Sequence, residues 1–379
     1  MSGHERPARP RVAFVSYDFP EYSALTVRAL AEHATVLFAS PADVPGGGPL
    51  PPGVHVVTVA RARLRQPLRQ LRGVLRIHRA IRRFRPDVVH LQHAHLWFGL
   101  SLRLLPRHVP LVVTVHDPIP HAGDHESRKT PPWVTRFGYR HATRLIAHGK
   151  FVADITSSTH GVERARITVV PHIALGDASR QPEITEVANT VLFFGRIWAY
   201  KGLDVLIAAQ PRIAQAVPGA RVVIAGRGED MAHYRRLMRD PSAFEVRNEY
   251  IGDDEAARLF RQASVVVLPY VDASQSGVVA LAATYGRPVV ATRVGALPEA
   301  VEHEHNGLLV PPRDADALAD AVVRVLCDDD LRAKMGARAR ELALTAWSPA
   351  AVAQQTLNVY REAMAASVVS PRRGGPSRR

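Results

Sequence analysis

Residues 265–300 constrain the fold of this chain more than any other stretch. An apolar run at 265–268 leads into a loop, the small polar cluster SQSG at 274–277 opens a helical run, and GRP at 286–288 ends that run before a second apolar segment. A strand, a Gly/Ser turn, a helix and a second strand in this order aim free backbone N–H groups at an anion. We therefore expect a phosphorylated ligand at the helix N-terminus.

Apolar runs and helical segments also alternate along the rest of the chain. This alternation predicts an α/β fold with two doubly wound, Rossmann-like domains that face a cleft, at residues 1–177 and 190–347. A polar linker is predicted at 178–189, a final helix at 348–366 and a disordered basic tail at 367–379. The predicted strands are 11–16, 34–39, 54–59, 86–91, 111–115, 145–147, 167–170, 190–194, 221–225, 245–251, 264–268 and 289–291, with a Pro/Gly-rich loop at 41–53. The other predicted helices include 24–32, 202–215, 230–239 and 253–262.

Composition restricts the class of protein. The 379 residues, 46% of them hydrophobic, suffice for two domains with buried cores. No run of about 18 apolar residues occurs, so we expect no transmembrane helix, and the charged N-terminus is expected to lead into the first strand rather than to act as a signal peptide. The single cysteine, Cys327, excludes an intramolecular disulfide and fits the reducing cytoplasm.

Five motifs, taken in order along the chain, resemble those of family 4 glycosyltransferases, which are retaining enzymes with the GT-B fold. They are VVTVHD at 112–117, FGR followed by KG at 194–202, IAGRG at 224–228, SQSG at 274–277 and NGLLV at 306–310. The resemblance implies two Rossmann-like domains facing a cleft, a nucleoside diphosphate sugar as donor, no bound metal or other cofactor, and a final helix that crosses back to the first domain.

The chain departs from the family pattern at two positions. Ser274 and Ala282 stand where the family carries two glutamates eight positions apart. A serine hydroxyl can still hydrogen-bond a sugar, but it supplies no negative charge, and Ala282 offers nothing to a ribose. Asp272 precedes Ser274 by two residues, and we hypothesise that it replaces the missing carboxylate in catalysis; the alternative is an aspartate in a surface turn.

Two cations and a set of backbone groups are the candidate diphosphate contacts. Arg196 and Lys201 follow the first strand of the second domain, and both could stabilise the charge that grows on a leaving diphosphate. The alternative for each is a solvated surface cation. The resemblance implies donor contacts by further residues: Gly195, Gly226, Arg227, Ser274, Gln275, Ser276, Gly277, Val278 and Glu299. Ser276 could equally cap its helix, and Glu299 could favour a helix dipole.

His116 ends a buried strand and is expected to point into the cleft. The resemblance places a histidine here near the donor sugar, where it could donate a hydrogen bond or move a proton. A histidine satisfied by neighbouring loops is the alternative. His90, His93 and His95 invite a metal site, but no carboxylate or cysteine accompanies them, so structural or cleft-lining roles are favoured.

Residues 61–85 combine ten arginines with an apolar stripe. Leu64, Leu68, Leu71, Leu75, His78 and Ile81 recur at helical spacing from about residue 67. Such a helix could lie on an anionic membrane surface, pack on the sheet, or do both. Nucleic acid is not expected as a partner, because no aromatic platform accompanies the charge.

These observations predict a retaining glycosyltransferase. It would move a hexose from a nucleoside diphosphate sugar to a hydroxyl of a glycan, a lipid-linked acceptor or a small molecule. The predicted location is the cytoplasm, with peripheral attachment to the inner face of the membrane. A catalytically impaired binding or scaffold protein of the same fold is the main alternative, and a GT-B epimerase or phosphorylase is a weaker one.

Overall fold

The computed structural model describes residues 9–41, 50–60, 65–121 and 130–369. Its strands form two parallel sheets, which confirms the predicted fold class. The predicted loop at 41–53 lies mostly outside the described residues, and the tail beyond 369 lies wholly outside them. No helix among the described residues is both long and apolar enough to cross a membrane.

The first sheet has seven strands in the order β3-β2-β1-β4-β5-β6-β7. Continuous apolar runs bury both faces of its central strands, as expected for a parallel sheet covered by helices. The strands are β1 (Arg11–Val15), β2 (Thr35–Pro41), β3 (His55–Val59), β4 (Val88–Leu91), β5 (Leu111–Val115), β6 (Arg144–Ala147) and β7 (Ile167–Val169). The helices are α1 (Pro20–Ala31), α2 (Pro67–Phe84), α3 (Leu96–Leu100), α4 (Pro132–His141) and α5 (Lys150–His160).

The second sheet has six strands in the order β10-β9-β8-β11-β12-β13. They are β8 (Thr190–Phe194), β9 (Arg221–Ala225), β10 (Phe244–Arg247), β11 (Val265–Leu268), β12 (Val289–Thr292) and β13 (Gly307–Val310). The helices are α6 (Leu203–Ala216), α7 (Met231–Leu237), α8 (Asp253–Gln262), α9 (Gly277–Thr284), α10 (Leu297–Ala300), α11 (Ala315–Cys327) and α12 (Asp329–Leu344). Residues 170–189 connect the sheets and form neither helix nor strand.

The last helix, α13 (Pro349–Val369), packs on the first sheet rather than on the second. It contacts α1 and strands β4 to β6, and its apolar side chains share a core with those of β1 and β2. The Tyr360 hydroxyl lies 2.6 Å from His90 Nδ1. The helix continues to Val369, so the prediction of disorder from residue 367 is wrong for residues 367–369.

Some element bounds differ from the prediction. Helix α1 begins at Pro20 rather than at residue 24, because a proline fits the first helical turn, where its missing N–H has no partner to lose. Strand β10 ends at Arg247 rather than at residue 251, since the neighbouring strand β9 ends opposite it at Ala225.

Helix α2 buries a different face from the one predicted. Ile77, Ile81 and Phe84 pack on the sheet and Val74 is buried, whereas Leu68, Leu71 and Leu75 remain exposed, by 70% in the case of Leu68. The predicted apolar stripe is therefore only partly buried. His78 and Ile81 are buried, whereas Leu68, Leu71 and Leu75 are not. Leu64 lies outside the described residues.

Candidate active site

Both sheets reverse their strand order once, between β1 and β4 and between β8 and β11. Ligands of open α/β sheets bind at such switch points, outside the carboxyl ends of the strands. The loops at these ends touch across the two domains: His121 contacts Asp272, and Glu299 contacts the start of α5. The loops that carry the predicted site residues of the two domains therefore meet at one cleft.

The N-terminus of α9 has the expected geometry of an anion site. Ser276 caps the helix, and its hydroxyl accepts a hydrogen bond from the Val278 N–H at 3.3 Å and lies 3.2 Å from the Tyr270 hydroxyl. The Gln275 side-chain oxygen is buried and has no partner within the described part of the chain. The cap and the anion site are compatible, because one side chain satisfies only one of the free N–H groups in the first turn.

Close backbone approaches fix the loops after β8 and β9. Gly226, with a φ of +144°, sits so near the Gly195 carbonyl that a Cβ atom would lie 1.9 Å from its oxygen. Gly195 itself has a φ of +111°. Both glycines thus shape the loops by their lack of a side chain. Arg227, between these packed loops, has an exposed side chain.

Lys201 lies between two aromatic rings. Its Nζ atom is 3.7 Å from the centre of the Tyr270 ring and 5.0 Å from that of Tyr200. Tyr200 belongs to the loop after β8 and Tyr270 to the loop after β11, so the ammonium group is at the switch point of the second sheet. Arg196 follows β8 directly, and its side chain is exposed. Both predicted cations thus belong to the loop at the carboxyl end of β8, and their role at the diphosphate stays a prediction.

His116 does not point into the open cleft, contrary to the prediction. Its ring is fully buried and stacks on Phe19, with ring centres 4.0 Å apart. His116 Nε2 lies 2.8 Å from Gln92 Nε2, while Nδ1 has no partner among the described residues. Burial, and then neighbouring histidines with His148 first, lower the pKa of His116 well below its usual value, so the ring is neutral near pH 7.

His116 belongs to a histidine cluster that sequence reasoning missed; His116 and His148 are buried, and His93 and His172 are half-buried. The signal was present, because His93, His116, His148 and His172 each follow the end of one of four adjacent strands, β4 to β7. Neighbouring rings are 5.1 to 5.9 Å apart. Within the described ranges no group of three or more His, Cys, Asp or Glu side chains is arranged to hold a metal ion. Both ring nitrogens of His90 form hydrogen bonds, Nδ1 with Tyr360 and Nε2 with Thr114.

A second polar cluster spans the cleft and contains both Asp272 and Ser274. His121 Nδ1 donates to Asp272 at 2.8 Å, and His121 Nε2 lies 3.3 Å from Asp117 Oδ1 and 3.1 Å from Ser274 Oγ. Ser274 is only 4% exposed. Burial lowers the pKa of His121, but the hydrogen bonds and charges of the two aspartates outweigh this effect and raise it above its usual value.

Ala282 and Glu299 have surroundings that the sequence did not reveal. Ala282 is fully buried in the apolar core of the second domain. Both Glu299 oxygens accept hydrogen bonds from the first turn of α5, from the Lys150 N–H at 2.6 Å and the Phe151 N–H at 2.7 Å. Glu299 thus caps a helix of the other domain, and its role at the donor stays a prediction.

Two doubly wound, Rossmann-like domains that share a cleft are the fold of GT-B glycosyltransferases. Comparisons with known proteins agree. Residues 22–173 match the model of Glycosyltransferase Family 4, and residues 188–328 match that of Glycosyl transferases group 1. The D-inositol 3-phosphate glycosyltransferase of Saccharomonospora viridis is 32% identical over 74% of this chain and 72% of its own length. The chain therefore belongs to glycosyltransferase family 4.

Other similar proteins extend this result. A glycogen synthase of Mycobacterium tuberculosis is 33% identical over 74% of this chain and 69% of its own length. Among solved structures, sucrose-phosphate synthase from Thermosynechococcus elongatus superposes with a TM-score of 0.73 at 20% identity, covering 94% of this chain and 100% of its own. Anabaena HepE in complex with UDP and glucose gives a TM-score of 0.69 at 17% identity, covering 93% and 100%. These two structures show the shared fold.

Proposed function

We propose that this enzyme transfers a hexose from a nucleoside diphosphate sugar to a hydroxyl group, with retention of configuration. The acceptor would be a glycan, a lipid-linked molecule or a small molecule. The observation that carries the proposal is the start of α9, whose free N–H groups and neighbouring Lys201 suit a diphosphate at the switch point of the second sheet. The relatives named above, one of them bound to UDP and glucose, support it, and none of them supports the scaffold alternative.

In the proposed reaction the bond between the sugar carbon and the diphosphate oxygen breaks while the bond to the acceptor oxygen forms. Negative charge grows on the leaving diphosphate, where Arg196, Lys201 and the α9 N–H groups stabilise it. The acceptor proton leaves with the diphosphate, since retention brings acceptor and leaving group to the same face of the sugar. His116, neutral and buried beneath Phe19, is the proposed hydrogen-bond donor to the sugar once Phe19 moves aside.

Thermal unfolding in the presence of UDP, GDP and ADP tests the donor proposal. A nucleotide at 100 times its dissociation constant should add about 2.7 kcal/mol to stability. The double variant Arg196→Ala, Lys201→Ala should lose that shift, and turnover with the matching sugar nucleotide should follow in the wild type. If none of the nucleotides stabilises the wild type, the proposal is wrong.

We also propose that the enzyme works in the cytoplasm against an anionic membrane surface, which α2 contacts. The exposed leucines Leu68, Leu71 and Leu75 lie on the outer side of this helix, beside a row of arginines, and no acidic residue occurs between positions 65 and 85. A helix that lies in a membrane interface inserts apolar side chains into the bilayer, and its cations contact the lipid headgroups. The exposed, unpaired thiol of Cys327 fits a reducing compartment.

A groove beside α2 offers a place for headgroup phosphates. Arg76, Arg79 and Arg83, three and four residues apart, line a groove of about 470 Å³ together with His55 and Val56 of β3. Because β3 is at the edge of its sheet, the groove is open along one side. Arginine forks suit phosphate oxygens better than lysine does.

Sedimentation with vesicles tests the membrane proposal. The wild type should bind vesicles of phosphatidylglycerol and phosphatidylcholine but not pure phosphatidylcholine. At about 1 kcal/mol for each basic residue, the triple variant Arg76→Gln, Arg79→Gln, Arg83→Gln should bind roughly 100-fold more weakly. The matched control is Arg235→Gln, Arg236→Gln, Arg239→Gln, on the exposed surface of the second domain. If both triple variants lose the same amount of vesicle binding, α2 is not a specific membrane face. The same conclusion follows if the wild type binds a DNA duplex as strongly as it binds the anionic vesicles.

A further inference from the structure

The side chains around His121 join the two domains at the cleft. In this cluster, hydrogen bonds between side chains connect a loop of the first domain to a loop of the second. Asp117 and His121 belong to the loop after β5, and Asp272 and Ser274 to the loop after β11. The His121 ring also stacks on Tyr200, with centres 4.7 Å apart, and Tyr200 adjoins Lys201. The cluster thus touches the proposed diphosphate site without being part of it.

The two carboxylate contacts of His121 favour a charged imidazolium ring. Both ring nitrogens have a carboxylate within reach, and only a doubly protonated ring can donate to both. Burial raises the pKa of Asp117, but the hydrogen bond and charge of His121 outweigh it and hold that pKa below its usual value. Two aspartates and one imidazolium leave a net charge of −1 on the cluster, the charge that a single glutamate would carry.

We propose that His121 is a positioning residue of the donor-sugar site: it holds Asp272 beside Ser274, so that the Asp117–His121–Asp272 cluster supplies the negative charge that family relatives draw from a glutamate at position 274. This inference rests on the proposed function. The Asp272 side chain is 54% exposed, so its carboxylate can reach a sugar while it stays bound to His121. Negative charge there stabilises the positive charge that develops on the sugar in the transition state.

The surroundings of His121 define how the cluster responds to pH. The groups that face the ring are Asp117, Asp272, Ser274 and Tyr200, and Asp117 in turn lies near His93. His93 is neutral near pH 7, because burial lowers its pKa. Loss of the His121 proton would therefore leave two carboxylates without a cation between them, and Asp272 would no longer be held beside Ser274. Turnover should fall as pH rises through the raised pKa of His121.

The test compares His121→Gln, Asp272→Asn and the double variant with the wild type, using the sugar nucleotide that the wild type turns over. Each single change should lower kcat by 10- to 100-fold and leave the dissociation constant of the free nucleoside diphosphate within about twofold. The double variant should be no slower than the slower single variant, because both changes disable one unit. His121→Gln should also lose the alkaline limb of the pH profile of kcat.

Two controls keep the outcomes distinct. His108→Gln changes an exposed histidine of the first domain and should leave kcat and the pH profile unchanged. Thermal unfolding shows whether each variant is folded; Asp272 is half-exposed, so Asp272→Asn should unfold within a few degrees of the wild type. A His121→Gln variant with wild-type kcat, or single effects that multiply in the double variant, would overturn the inference. A wild type that turns over no sugar nucleotide would instead overturn the proposed function, and this inference with it.

Discussion

Ser274 and Ala282 replace two glutamates, but their surroundings make the two replacements different. The Ser274 hydroxyl has a charged hydrogen-bond partner in His121. Ala282 belongs to an apolar core that also contains Phe260 and Leu268. A carboxylate at 274 would meet polar groups, whereas a carboxylate at 282 would enter a tightly packed interior. The second position has thus become part of the core.

Restoring a carboxylate at the second position should therefore destabilise the protein. We expect Ala282→Glu to lower the free energy of unfolding by about 3 to 5 kcal/mol, because a charge is buried without a partner. Urea denaturation measures the loss. Ala337→Glu, at an exposed position of α12, should change stability by no more than about 0.5 kcal/mol. Equal stability of Ala282→Glu and the wild type would show that the core at this site can open to a ligand.

At the scale of the elements, the sequence predicted regular segments better than the faces they bury. Strands β8 and β9 and helix α8 have the predicted bounds, because polar, glycine or alanine residues delimit uninterrupted apolar or amphipathic runs. Helix α2 was placed correctly, but helical periodicity does not reveal which of two apolar rows meets the sheet. The contacts of His121 and Glu299 escaped prediction because their partners lie about 150 residues away along the chain.

The histidines that follow strands β4 to β7 make the first domain sensitive to acid. Burial lowers the pKa of His148 to about 4 and that of His172 to about 3. The unfolded chain binds protons at these positions near pH 6.5 and the folded chain does not, so stability should fall as pH drops from about 6.5 towards 4. His121 has the opposite effect on stability, because its raised pKa favours the folded state at low pH. It is one group against several histidines with lowered pKa values.

Urea denaturation at pH 7.5, 6.0 and 5.0 measures this dependence. The midpoint should decrease steadily over the series, with an unchanged slope against urea concentration. A midpoint that stays constant from pH 7.5 to 5.0 would mean that the buried histidines gain protons in the folded protein.

Glu299 links α10 of the second domain to α5 of the first. Removing its carboxylate leaves two N–H groups of α5 without their partners, so Glu299→Ala should cost about 0.5 to 2 kcal/mol in the free energy of unfolding. Thermal or urea unfolding detects the change. Glu249→Ala, at an exposed position of the second domain, is the matched control and should be neutral. If both variants are equally stable, the contact contributes nothing in solution.

At the scale of the whole molecule, α13 makes the first domain depend on a helix that follows the second domain in the chain. Its apolar residues close one face of the first sheet, and its Tyr360 hydroxyl donates to His90 inside that face. Burial lowers the pKa of His90 to about 3, so its ring is neutral, and Nδ1 can accept the hydrogen bond while Nε2 donates to Thr114.

Tyr360→Phe tests this link. The substitution leaves a buried nitrogen of His90 unpaired and should cost about 1 to 3 kcal/mol in the free energy of unfolding. Tyr250→Phe removes a hydroxyl at a position that is 72% exposed, and it should be neutral. Urea denaturation of both variants beside the wild type decides the result; equal stability of all three would mean that water can replace the tyrosine hydroxyl.

The bond between His90 and Tyr360 joins positions 270 residues apart, and this has a consequence for biosynthesis. A ribosome makes the strands of the first sheet before the second domain, and α13 after it. The second domain, whose strands lie between residues 190 and 310, emerges whole while the first still lacks the helix that covers Val12, Phe14 and Val36. In most multidomain chains the N-terminal domain folds first during synthesis. Here the first domain is completed only after the second has been made, and the part of its apolar face that α13 covers stays open until then.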